Sequence, residues 1–65
     1  MASNKRICIY AKDIQRITGK SDRYGRMLLN RIRKQFQKSE HQFVTVEEFC
    51  LFTGLKIEQV ELFLL

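Results

Sequence analysis

One run constrains this chain more than any other: Asp13-Ile14-Gln15-Arg16-Ile17-Thr18-Gly19-Lys20-Ser21-Asp22-Arg23-Tyr24-Gly25-Arg26-Met27-Leu28-Leu29. It reads as a short helix, a glycine stop, a serine cap and a second helix. A glycine just past the last helical turn ends a helix because it enters the left-handed conformation at little steric cost. Ser21 then caps the next helix, its hydroxyl accepting from a first-turn N–H. Asp22 follows, where the helix dipole favours a negative charge.

Apolar spacing extends this reading along the chain. Ile7, Cys8, Ile9 and Tyr10 are mostly β-branched or aromatic and read as an extended lead-in over residues 7–10. Ile14, Ile17 and Thr18 recur at helical spacing over 11–18. Tyr24, Leu28, Ile32 and Phe36 recur every four residues, with Leu29 widening the stripe, which predicts a helix over about 22–37. Tyr24 reads as a core-edge residue. Gly25 sits beside the stripe, where a helical glycine costs up to about 1 kcal/mol against alanine. Close approach of another helix explains it. The opposite face carries Arg23, Arg26, Asn30, Arg33, Lys34 and Gln37, spaced to form one polar and mostly cationic ridge.

Residues 38–42 lack periodicity and read as a loop, followed by a second extended segment, Phe43-Val44-Thr45. Thr45 with Glu48 three residues on forms a capping box for a third helix. Phe49, Cys50, Phe52 and Thr53 fill that helix, and Gly54 stops it. A fourth helix over about 57–64 carries Val60, Phe63 and Leu64 inward.

The two halves match when the chain is slid by thirty-five positions. Thr18 falls on Thr53 and Gly19 on Gly54; Ile17 meets Phe52, Ile14 meets Phe49, Asp13 meets Glu48 and Leu28 meets Phe63. The expected fold is all-α: one domain over residues 1–65, with four short helices as two helix-turn-helix-like repeats, about 7–37 and about 43–65. The two lead-ins supply at most a minimal two-stranded pairing, which packed helices can support. No proline and only three glycines agree with helices rather than a turn-rich β fold.

Charge separates the two repeats. Residues 1–38 hold eleven Lys/Arg against two Asp, a net +9; residues 39–65 hold one Lys against five Glu, a net −4; the whole chain is +5. A basic half joined to an acidic half suggests a polyanion-binding module attached to something else. The second repeat has Glu58 and Glu61 in its second helix. A phosphate backbone would repel them, so this repeat reads as scaffold or as a protein-binding face.

The first repeat resembles the helix-turn-helix of small bacterial and phage DNA-binding proteins, a group that includes repressors and excisionase-like proteins. The resemblance rests on Ile14, Gly19, Ser21, Arg23, Arg26 and Leu28. Where the first repeat has Gln15, Lys20 and Gly25, the second has Cys50, Leu55 and Val60, which match the group's small and apolar pattern better. The resemblance implies base contacts from Ser21, Arg23, Arg26 and Asn30 at the start of the second helix. Arginine suits guanine and asparagine suits adenine. Lys12, Arg16, Lys20, Arg33 and Lys34 would then meet phosphates, which position a protein without reading sequence. Double-stranded DNA is the implied partner, with a role as a transcriptional regulator or mobile-element accessory factor. The rival reading is an interaction module whose basic helix binds an acidic protein or RNA.

No catalytic constellation is visible, so an enzyme is not expected. His41 is the single histidine and lies in a polar loop; Asp13 and Asp22 sit at helix starts, where capping suffices. No metal or cofactor spacing occurs, and Cys8 and Cys50 read as free thiols. Met1-Ala2-Ser3-Asn4-Lys5-Arg6 leads into no long apolar segment, so a cytoplasmic, non-membrane protein with reduced thiols is expected. Leu62 and Leu65, beside Leu51 or Leu55, are left over from the core. They fit either a symmetric dimer through the acidic repeat or a monomer with an apolar C-terminal end.

Overall fold

Two short strands tie the halves together in the computed structural model, which describes residues 7–64. β1 (Cys8–Ile9) pairs antiparallel with β2 (Val44–Thr45), with Cys8 opposite Thr45 and Ile9 opposite Val44. Around them lie α1 (Ala11–Thr18), α2 (Asp22–Gln35), α3 (Val46–Thr53) and α4 (Ile57–Glu61). The described residues are mostly helical, with four helices and this one small sheet. Ile9 and Val44 turn inward and are fully buried, while Tyr10 and Phe43 meet edge to face on the outside, 6.1 Å between centroids.

One core joins all the elements. Ile9, Ile14, Leu28, Leu29 and Ile32 come from the first half; Val44, Val46, Phe49, Val60 and Leu64 come from the second. Phe49 is the largest fully buried side chain. Tyr24, Phe36, Cys50 and Phe52 pack around the edge, half-buried.

Each helix end follows from a few residues. The Asp13 carboxylate, buried at the start of α1, accepts from the Tyr10 N–H at 2.9 Å. Thr18 returns its hydroxyl to the Ile14 carbonyl, and Gly19 closes the helix at φ 74°, donating to the Gln15 carbonyl at 2.8 Å. Ser21 accepts from the Tyr24 N–H at 3.1 Å, capping α2.

The same bonds recur in the second half. Glu48 accepts from the Thr45 N–H at 3.0 Å, and Thr45 accepts in return from the Glu48 N–H. Thr53 bonds the Phe49 carbonyl, and Gly54, at φ 81°, donates to the Cys50 carbonyl at 2.8 Å. Only the second cap is missing: Lys56 stands at the start of α4 without a side-chain bond.

Two helix ends depart from the sequence expectation. The predicted helix over 22–37 stops at Gln35, with Gln37 in the left-handed region at φ 57°. There the Gln37 N–H reaches the Lys34 carbonyl and the Lys38 N–H reaches the Arg33 carbonyl at 2.7 Å, a Schellman closure. Glycine usually takes this position, so a glutamine there gave no stop signal. The predicted helix over 57–64 ends at Glu61. Beyond it, Phe63 N–H bonds the Val60 carbonyl and Leu64 N–H bonds the Glu61 carbonyl, both three residues back. This tighter winding rotates each residue further. Leu64 turns inward, as expected, but Phe63 is 43% exposed, so its match with buried Leu28 fails.

Gly25 sets how close α1 and α2 can come. A Cβ built there would lie 2.6 Å from the Ala11 carbonyl oxygen, which is backbone and cannot swing away. Two substitutions therefore reverse the usual trends. Gly25→Ala, which would stabilise an exposed helix by up to about 1 kcal/mol, should instead destabilise by about 1–3 kcal/mol through overpacking. Gln37→Gly relieves a left-handed residue, worth about 1–2 kcal/mol before glycine's added chain entropy is subtracted. It should raise stability by about 0.5–1 kcal/mol. Urea midpoints of both variants against the parent check the signs.

Candidate nucleic-acid interface

The α1–α2 pair turns its apolar sides to the core and its cations outward. On α2, Leu28, Leu29, Ile32 and Gly25 are buried, so the opposite face must meet solvent. Arg23, Arg26 and Asn30 all lie on that exposed face, as does Lys34. Lys12 and Arg16 are exposed on α1, and Lys20 is exposed in the turn. On α2 these residues recur three or four apart and so share one side of the helix with exposed Met27.

Several of these groups are already engaged. Arg26 Nε lies 3.0 Å from Asp22 Oδ2 in an i,i+4 pair, yet its side chain stays 75% exposed. Such a pair contributes only about 0.3–0.5 kcal/mol, so a stronger acceptor can displace it. Lys20 Nζ stands 5.3 Å from the centre of the Tyr24 ring, which holds the ammonium beside the first turn of α2. Ser21 is exposed, but its hydroxyl caps the helix. Arg23 and Lys34 make no ion pair among the described residues.

Arg33 lies beside Asn30 on the ridge and has partners within the protein. Its Nε donates to the Gln42 carbonyl at 2.9 Å and its Nη1 to Asn30 Oδ1 at 2.9 Å. The guanidinium thus clamps the loop after α2 and orients the Asn30 amide. Asn30 keeps its NH₂ and a second oxygen lone pair for an outside partner. Arg31, left out of the sequence-derived set, is exposed on the same helix. Its signal was present: Arg31 follows Met27 by four positions.

A polar concavity of about 490 Å³ opens at the end of α2, lined by Asn30, Arg33, Lys34, Lys38 and Glu40. Lys38 is anchored at its far side, with Nζ 3.1 Å from Glu48 Oε2. Burial alone would raise the Glu48 carboxyl. The Thr45 N–H, the Lys38 ammonium and the Thr45 hydroxyl together outweigh it and hold the group below its usual value. Glu48 therefore links the α2 end to the start of α3. His41 is exposed in the loop. No group of three or more potential metal ligands occurs among the described residues. Cys8 and Cys50 are free and half-buried. No described helix is long and apolar enough to cross a membrane.

No family model matches the chain, and neither a curated protein nor a solved structure matches it.

The lowered Glu48 carboxyl sets a pH dependence. A depressed native value contributes stability above the unfolded value, about pH 4.3 for glutamate, and loses it as pH falls through the native value. The parent should be more stable than Glu48→Gln near neutral pH, and the gap should close by about pH 3. Urea titrations of both proteins across that window measure it.

Proposed function

We propose that this protein binds duplex DNA, with α2 as the recognition helix of a helix-turn-helix and α3–α4 as a second, diverged copy of the same unit. One observation carries the reading: the outward face of α2 is cationic from its first turn to its last, directly after a tight glycine–serine turn. At 1.5 Å per residue, α2 is about 21 Å long and of a width that the B-DNA major groove admits. The deep, narrow major groove of A-form RNA does not admit a helix, which favours DNA over RNA.

In this reading Arg23, Arg26 and Asn30 face base edges. Arg26 exchanges Asp22 for guanine, and Asn30, steadied by Arg33, offers its amide to adenine. Ser21 stays at the helix start, close to a phosphate or base. Lys12, Arg16, Lys20 and Lys34 lie along the phosphates, joined by Arg31. Arg33 serves from behind as a positioning residue. The repeat reading draws on the recurrence of the Asp13, Thr18 and Gly19 bonds at Glu48, Thr53 and Gly54. A small regulator of transcription or a mobile-element accessory factor would use such a module.

Fluorescence anisotropy with a labelled random-sequence duplex, run across a salt series, tests the proposal. Four or five phosphate contacts predict a slope of log K against log salt of about −3 to −5. Reversing Arg23 and Arg26 together to Glu should abolish binding, while the helical circular dichroism stays that of the parent. Lys12→Ala should weaken all duplexes alike and flatten the slope by about one. A double reversal that binds as well as the parent would remove α2 from the recognition role.

A further inference from the structure

The α3–α4 face carries the opposite chemistry at corresponding positions. Thirty-five positions after Lys12, Arg16 and Lys20 stand Glu47, Leu51 and Leu55; after Arg23 and Arg26 stand Glu58 and Glu61. Glu47, Cys50, Leu51, Leu55 and Ile57 line a mainly apolar concavity of about 380 Å³. Leu51 is 75% exposed, and Leu55 and Ile57 also reach solvent. Glu47 lines this hollow, and Glu58 and Glu61 act with it on the Cys50 thiol there. The Cys50 thiol, first by burial and then by Glu61, Glu47 and Glu58, is held above its usual value. Exposed leucines beside carboxylates are a poor surface to leave in water and a good one to cover; Lys56, exposed between Leu55 and Ile57, is a cation in the same segment, outnumbered by the three glutamates.

We propose that this face docks an amphipathic helix of a partner protein, one whose apolar stripe is flanked by lysines or arginines. The leucines and Ile57 supply the apolar floor, and the glutamates supply the complementary rim. Charge decides between occupants. A two-fold pairing with a second copy would bring the three carboxylates Glu47, Glu58 and Glu61 of each copy into one interface, with a single Lys56 from each to offset them, which costs affinity. A cationic helix meets the same carboxylates with attraction. Nucleic acid is repelled by them. Leu62, also 75% exposed, adds apolar surface at the end of the chain; Leu65 lies outside the described residues.

The test uses the full chain without DNA, so it fails or succeeds independently of the DNA proposal. The probe is a fluorescein-labelled Leu/Lys peptide of about eighteen residues, with leucines at three–four spacing, long enough for helix formation. A Leu/Glu peptide of the same spacing is its control. Anisotropy should show saturable one-to-one binding of the Leu/Lys peptide, with a Kd on the order of tens of micromolar or tighter, and none of the Leu/Glu peptide. Leu51→Asn with Leu55→Asn should weaken it by about tenfold or more, and Glu47→Gln with Glu58→Gln by roughly fivefold. All four positions are exposed, so circular dichroism should match the parent. Absent saturable binding, equal binding of both peptides or unaffected variants would overturn the proposal. So would sedimentation of the parent as a dimer that Leu51→Asn dissociates, which would make a second copy the occupant.

Discussion

Neither half of this chain can bury its own apolar face, and the shared core is the constraint from which the rest follows. Five buried hydrophobic residues come from each half, and they meet across the Ile9–Val44 pairing. A 65-residue chain has little interior to spare. Phe49, Ile14 and Ile32 are all fully buried in that core, and α2 packs its inward face on α1, α3 and β2. The outward face of α2 is what remains once that packing is satisfied. Its charge is therefore held on a fixed surface rather than on a free helix.

Gly25 refines this arrangement. Its missing side chain lets α2 come within backbone contact of Ala11 at the start of α1. At the corresponding positions of α3 and α4 are Val46 and Val60, both buried. Both valines belong to the buried core, while Leu51, Leu55 and Ile57 of the same helix pair and its turn line the apolar hollow. The two helix pairs, α1–α2 and α3–α4, thus carry surfaces of opposite sign. In the proposals above, one meets phosphate and the other meets a cationic helix.

Much of the fold was legible in the sequence because its punctuation is local. Gly19, Ser21, Gly54 and the Thr45–Glu48 box each mark a helix end with residues whose chemistry is spent within three or four positions. The lead-ins were legible as extended segments, and their antiparallel pairing follows from the shared core. The misses have physical causes. Gln37 ends α2 in a conformation that glycine normally signals, and the chain after Glu61 tightens so that Phe63 leaves the core. The candidate site was legible as a ridge of cations but not as individual roles. Spacing places Arg33 near the ridge, but only the loop's position gives it Gln42 as a partner. Arg31, by contrast, was legible from spacing alone: it lies four positions after Met27, on the same exposed side of α2.

Amide chemical shifts of the labelled protein, followed as a random-sequence duplex is added, address DNA recognition by α2 most directly. The largest changes should fall on residues 19–31, with smaller ones at Lys12 and Arg16, while the amides of α3 and α4 keep their free positions. Changes centred on Leu51, Leu55 and Glu58, or none at all at moderate salt, would contradict recognition through α2.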